Sequence, residues 1–245
     1  MVIDMDMERL NEIFRNEVEH YHAGYNVQVS FSDLMLPGVR WDRYGRTYEV
    51  TISDYFADAD EDILISLAAC ASYNKFYLMN ASINIWDGLI RDYVLSDEFL
   101  ENSRPIYIAR RTLSDKPKMS EGDVSHNVLI HPQSSIDRLV KAGLLTEDEV
   151  KDIIVVWDDD LYSNPLAYGI PVMKTVCISR KFARDIIPFN VRDYAVYVGA
   201  LSVILGREKP DFEVFETDPE FSRRRRMFEE YQMIDVYLDS KGYSL

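Results

Sequence analysis

Apolar residues recur at three- and four-residue spacing from about residue 6 to 22, with Leu10, Ile13, Phe14 and Val18 on one face. That period predicts an amphipathic helix, and Gly24 is placed to end it in the left-handed conformation. The pattern then switches to alternation in Val27-Gln28-Val29-Ser30-Phe31, which predicts a strand closed by Ser32-Asp33. A second strand is expected from about Thr47 to Ser53, after the turn Tyr44-Gly45-Arg46. The acidic stretch Asp58 to Asp62 suits the positive end of a long apolar helix over Ile63 to Tyr73.

The central part is less regular. Arg104-Pro105-Ile106-Tyr107-Ile108 reads as a strand, about 110 to 133 as loop, and Ser135 to Leu145 as a helix interrupted by Gly143. Thr146-Glu147-Asp148-Glu149 has the T-x-x-E form of a capping box, expected to open a further short helix, and Ile153 to Trp157 reads as a buried strand. A β-rich run ending in Ile178-Ser179 leads through a loop to Pro188 and a helical run in which Val191, Tyr194, Ala195 and Val198 recur. Asp218-Pro219-Glu220 supplies an N-cap and a first-turn proline for a closing helix carrying Phe221, Met227, Phe228 and Tyr231.

The chain also partly repeats. Val29-Ser30-Phe31-Ser32-Asp33 is echoed by Val155-Val156-Trp157-Asp158-Asp159, and Ile52-Ser53 with Phe56-Ala57 by Ile178-Ser179 with Phe182-Ala183. Both echoes fall 126 residues on (155 − 29 and 178 − 52), and a long apolar helix follows each. The expectation is an α+β fold with a mixed sheet packed on long helices, built from two pseudo-repeated strand–strand–helix units. Residues 1–103 would hold the first helix and unit, 104–152 a connecting segment, and 153–245 the second unit, all in one compact body.

Composition narrows the functional classes. A net charge of −15 disfavours broad attraction to nucleic acid or anionic lipid. No apolar run reaches the roughly 18 residues of a transmembrane helix. The opening MVIDMDMERLNEIF lacks the basic start and apolar core of a signal peptide, so a cytoplasmic protein is expected. Cys70 and Cys177 lie in apolar stretches without a C-x-x-C pattern and are expected as buried thiols. Arg223 to Arg226 is the concentrated basic segment, read as a solvated helix face or as a contact for an acidic partner.

Much of the frame around Pro188 resembles an archaeal group of minigluzincin-type, zincin-like metallopeptidase relatives. The residues that carry the likeness are Val176-Cys177-Ile178-Ser179, Pro188, Val191, Asp193-Tyr194, Val196-Tyr197 and Phe221, with Tyr231 and Leu238 in the closing helix. Arg104-Pro105-Ile106-Tyr107 and the run Asp137 to Leu144 extend it through the middle. In such proteins H-E-x-x-H places two His one turn apart on Zn²⁺ with the Glu as general base. The resemblance puts the first His at Val198, the Glu at Gly199, the second His at Ser202 and the third ligand at Thr217. None of these side chains is a zinc ligand or a general base near neutral pH. The implied protein keeps a zincin-like scaffold without catalytic residues, metal or cofactor, and acts as an interaction or regulatory module.

Two other readings follow from the residues. Asp158-Asp159-Asp160 at a strand end forms a carboxylate group able to hold Mg²⁺ or Ca²⁺, which would make the chain an enzyme using a different cation site in the old cleft. Alternatively, Arg223 to Arg226 meets an acidic face of a second copy in a homo-oligomer. His20, His22, His126 and His131 are spaced as surface or capping residues rather than as ligands. No phosphate-binding glycine loop and no G-x-S-x-G elbow occurs. A protein partner is implied but not named by any motif; nucleic acid and membrane are not expected.

Overall fold

The computed structural model describes residues 7–77, 86–116, 130–159, 165–184 and 186–245. The chain divides into two compact units, Met1–Ser103 and Arg104–Leu245. Among the described residues no helix is long and apolar enough to cross a membrane.

In the first unit, α1 (Met7–Tyr21) buries Leu10, Ile13, Phe14 and Val18, the face its sequence period marks. It packs on β1 (Asn26–Ser32) and on α2 (Glu61–Phe76). A strand not marked by alternation, β2 (Val39–Tyr44), pairs antiparallel with β3 (Thr47–Ser53) across the two-residue turn Gly45-Arg46. Gly45 takes a φ of 62°, which this tight turn needs and glycine adopts without strain. β1 runs parallel to β3, so the sheet order is β1-β3-β2. α3 (Gly88–Leu95) follows, with Asp87 accepting a hydrogen bond from the Ile90 N–H as its cap.

The boundary between the units falls inside α4 (Asp97–Arg110). The strand expected at Arg104 to Ile108 is therefore helical. Ser96 starts this helix by accepting from the Phe99 N–H, and Leu100, Ser103 and Tyr107 are buried at helical spacing. That burial outweighs the β-rich local composition and retains Pro105 within the helix.

The second unit contains β4 (Leu113–Ser114), α5 (Ser134–Lys141), β5 (Ile154–Asp158), β6 (Ala167–Ile170) and β7 (Thr175–Ser179). It continues with the short α6 (Lys181–Arg184), then α7 (Phe189–Gly206), α8 (Pro219–Arg225) and α9 (Tyr231–Lys241). Gly143, at a φ of 72°, ends α5 instead of interrupting a longer helix. The capping box at Thr146 forms, with the Glu149 N–H donating to the threonine hydroxyl and the Thr146 N–H to the Glu149 carboxylate, but it opens only turns. The closing helix is split into α8 and α9 by turns over 226–230.

The second sheet has the order β4-β5-β7-β6, with β5 parallel to β7 and β6 antiparallel to β7. Val29 sits opposite Val50 in the first sheet, and Val155 opposite Val176 in the second, an offset of 126 in both strands (155 − 29 and 176 − 50). The architecture is α+β with mixed sheets.

α7 is buried from Val191 to Gly206 on nearly every side, which explains why it is apolar all round instead of amphipathic. It lies on β6 and β7 at backbone distance. A Cβ added at Gly169 would stand 2.3 Å from the Gly199 carbonyl oxygen, and one at Gly199 would stand 2.7 Å from Cγ1 of Val176. Helix-interior Gly→Ala ordinarily gains about 1 kcal/mol. Here the sign reverses: Gly199→Ala is expected to cost about 1–3 kcal/mol by overpacking, and Gly169→Ala more, because it meets backbone. Urea denaturation of the two variants checks this.

Candidate functional site

Three of the four positions singled out by the zincin-like frame line one cleft. Val198, Gly199 and Ser202, within about one turn of α7, form its floor with Tyr168 and Gly169 of β6. The segment from Phe212 to Glu216 forms the opposite wall, and Leu245 closes one end. The cleft has a volume of about 440 Å³. Thr217 is exposed and is not part of the lining, whereas its neighbour Glu216 is.

The chemistry of the floor is limited. Val198 is nearly buried and aliphatic. Ser202 donates its hydroxyl hydrogen to the Val198 carbonyl oxygen one turn back at 3.1 Å, a local bond that occupies its donor. Gly199 has no side chain, and Val176 leaves no room for one. The carboxylates of the lining stand on the far wall, at Glu213 and Glu216, and Glu216 is met by Arg225 at 3.3 Å. Among the described residues no three His, Cys, Asp or Glu side chains converge as a metal-holding group.

The carboxylate run at the end of β5 serves a different arrangement. Asp158 is 1% exposed. Tyr168 donates to its Oδ2 at 2.6 Å, and Arg111 donates to the tyrosine oxygen at 3.0 Å and reaches the same carboxylate oxygen at 3.5 Å. A cation at Asp158 would have to displace a guanidinium. Asp159 is half-buried, and Asp160 lies outside the described residues. Burial, the nearby Cys177 thiol and the hydrogen bond to Asp158 hold the Tyr168 hydroxyl far above its usual range. Cys177 lies beside this tyrosine and is pushed up to about 12, chiefly by burial, so it is an inert thiol. Cys70, expected to be buried, is half-buried, and its thiol is also raised by burial.

Arginines of the basic segment are committed within the unit. Arg223 meets Glu220 at 2.6 Å, and Arg224 meets Glu149 at 2.6 Å. Arg225 spans Tyr194 at 2.6 Å, Asp235 at 2.7 Å and Glu216. Arg226 is exposed. The histidines also sort simply. His22 packs on Phe76 at 4.8 Å between ring centroids, and His20 on Tyr21. The His131 ring nitrogen accepts from the Gln133 N–H near the start of α5, and His126 lies outside the described residues.

Sequence periodicity does not mark β6, with its Tyr168 and Gly169, or the role of Arg111. The available signal is the uncharged segment Leu166 to Ile170, which contains a glycine and lies between Pro165 and Pro171. Prolines at both ends suit an edge strand, and an internal glycine suits a close backbone approach. No protein-family model matches this chain, and no curated protein or solved structure matches it.

Two stability effects follow. Tyr168→Phe removes the short bond to a buried carboxylate and is expected to lower unfolding free energy by about 1–3 kcal/mol, read by urea denaturation. Glu149 is destabilised as an anion by its burial, but Arg224 and the Thr146 donors outweigh this and hold its carboxyl below the ordinary glutamate range. Its contribution is present above that range and is lost as pH falls through the folded-state value. Wild-type protein should therefore lose stability between about pH 5 and pH 3, and Glu149→Gln should lose less over the same interval while being weaker at neutral pH. Thermal melts across that range check the sign.

Proposed function

We propose that this chain is a non-catalytic relative of the zincin-like peptidases, a metal-free interaction or regulatory module whose cleft lies where the peptidase centre would stand. The observation that supports this reading is the tight contact at Gly199, where any Cβ would come within 2.7 Å of Val176. A general base cannot occupy that position while the helix rests on the sheet. The hydroxyl of Ser202 bonds into its own helix, and Val198 packs as an aliphatic residue.

The repeat belongs to the same proposal. Each unit places a helix, three strands and a long helix in the same order, as α1-β1-β2-β3-α2 and α5-β5-β6-β7-α7, with a short helical turn before the long helix in both, Asp54–Phe56 in the first and α6 in the second. In each sheet the first strand is parallel to the third and the second strand is the antiparallel edge of that trio. We read them as two copies of one unit, with the cleft built on the second copy.

Elemental analysis of protein purified without chelator tests the functional reading. The expected result is substoichiometric zinc and no peptidase activity on unstructured peptides; stoichiometric zinc with chelator-sensitive cleavage would overturn it. A second variant sharpens the test. Changing Val198→His, Gly199→Glu and Ser202→His together should lower stability, because the added glutamate has no space on the β7 side, and still give no tight zinc site, because two histidines fall short of the three protein ligands such a site needs. Zinc titration followed by calorimetry, beside a thermal melt, reads both outcomes.

A further inference from the structure

The lining of the cleft combines aromatic surface with carboxylates. Tyr168, Phe212, Phe215 and Phe221 supply the first, Glu213 and Glu216 the second. No Lys, Arg or His occurs among the described residues that line it. Arg225 meets Glu216, and Arg207 donates to the Pro171 carbonyl at 3.1 Å, but both guanidinium groups belong to residues outside the lining. Glu213 is exposed, and among the described residues its carboxylate has no ion-pair partner. The segment 208–220 holds six acidic residues and one basic residue, Lys209, so the local field favours a cation.

The wall that carries these carboxylates is fixed in advance. The Phe212 N–H donates to the Lys209 carbonyl at 3.3 Å, the Glu213 N–H to the Asp211 carboxylate at 3.1 Å, and the Ser222 hydroxyl to the Glu216 carbonyl at 2.6 Å. Phe212 holds a φ of 59°, a left-handed conformation that bulky residues seldom adopt. Such backbone persists only where its surroundings enforce it, and it clusters around ligand sites.

We propose that the cleft binds a small organic cation, an ammonium borne on an apolar body, with the Glu213 carboxylate as its counter-charge. This deepens the reading of the cleft as the site of an interaction or regulatory module, and rests on it. An anion would face carboxylates with no cationic side chain in the lining to meet it. A bare divalent ion finds no three converging ligands among the described residues. A neutral apolar ligand would gain nothing from Glu213. An organic cation uses the whole lining: its body lies on Val198, Gly199 and the rings, and its charge meets the carboxylate and the negative faces of the aromatics. The volume of about 440 Å³ is that of a small-molecule site.

Calorimetry and amide NMR on the full chain, purified without chelator, test this with three probes of similar shape: 2-phenylethylammonium, 2-phenylethanol and phenylacetate. The ammonium is expected to bind with a Kd of about 1–10 mM, the range of so small a probe, and to shift the Gly169 and Gly199 amide signals. The alcohol should bind about fivefold more weakly, and phenylacetate more weakly still. Glu213→Gln should erase the preference for the ammonium while leaving the alcohol affinity and the melting temperature unchanged. Raising the salt to about 1 M should narrow the same preference. Equal affinities for ammonium and alcohol, a preference that survives Glu213→Gln, or shifts confined to residues away from the cleft would each overturn the proposal. So would binding of acetyl-Gly-Lys-Gly-amide about tenfold tighter than the free ammonium, which would make the ligand a side chain of a partner protein. Zinc content of the same samples separates the two readings. Stoichiometric zinc beside an intact ammonium preference sinks only the metal-free one, and zinc-free protein indifferent to the ammonium sinks only the cation site.

Discussion

The second unit depends on a contact between two backbones, with the Gly199 carbonyl of α7 lying against Gly169 of β6. Cores are packed at crystal-like density, and an approach this close works only when neither residue carries a side chain. Gly206 repeats the device one end further along, where a Cβ would stand 2.5 Å from the Pro171 ring and 2.9 Å from the Phe212 carbonyl oxygen. The helix thus sits on its hairpin with little interstitial volume. This decides both the shape of the cleft and its chemistry, since the floor exposes valine, a backbone and a self-bonded serine rather than long polar groups.

A helix so deeply sunk must also satisfy the polar groups it carries. Tyr194 and Tyr197 are fully buried, and both send their hydroxyls toward the α8 region. Tyr197 donates to the Arg224 carbonyl at 2.7 Å, while Tyr194 sits between Arg225 and Asp235. The Tyr194 hydroxyl is raised mainly by burial, so it remains a neutral donor over any ordinary pH. The basic run therefore braces the C-terminal helices from within: Arg224 ties α8 to the capping box at Glu149, and Arg225 ties α7 to α9. Strong net acidity elsewhere on the chain makes such intramolecular partners easy to find.

Legibility in the sequence follows from how far each element obeys a single local rule. α1 is amphipathic and its buried face is readable residue by residue; β1, β3 and β5 alternate or are continuously apolar, and α8 announces itself through Asp218 and Pro219. α4 reads as a strand because Pro105 and its β-rich neighbours outweigh, locally, a burial pattern that only tertiary packing supplies. β2 and β6 escape notice because edge strands are short and need not alternate. Of the cleft, the helical floor is visible through the frame around Pro188. The rest of its lining is not, since Gly169, Phe212 and Leu245 come together only by folding, and Arg111 and Tyr168, which meet Asp158, lie 47 and 10 residues from it along the chain.

The proposed repeat gains its most specific support from a place where the two units differ. In the second sheet Gly169 lies opposite Val176; in the first, Trp41 lies opposite Val50, and Val176 is Val50 moved by 126 positions. The residue at the hairpin edge is thus the smallest in one unit and the largest in the other. Where Gly169 lets the hairpin touch α7, Trp41 packs its ring on Phe76 of α2 at 5.5 Å and on Phe14 of α1 at 6.1 Å. The helix position does not follow the same substitution, since Gly199 corresponds at this offset to Tyr73, which is exposed and stacked on Tyr77. If the two units are copies, this place holds aromatic rings in the first and glycines in the second. Under the proposed repeat, the cleft of the second unit is lined by the two glycines, Gly169 and Gly199, that let its helix meet its hairpin.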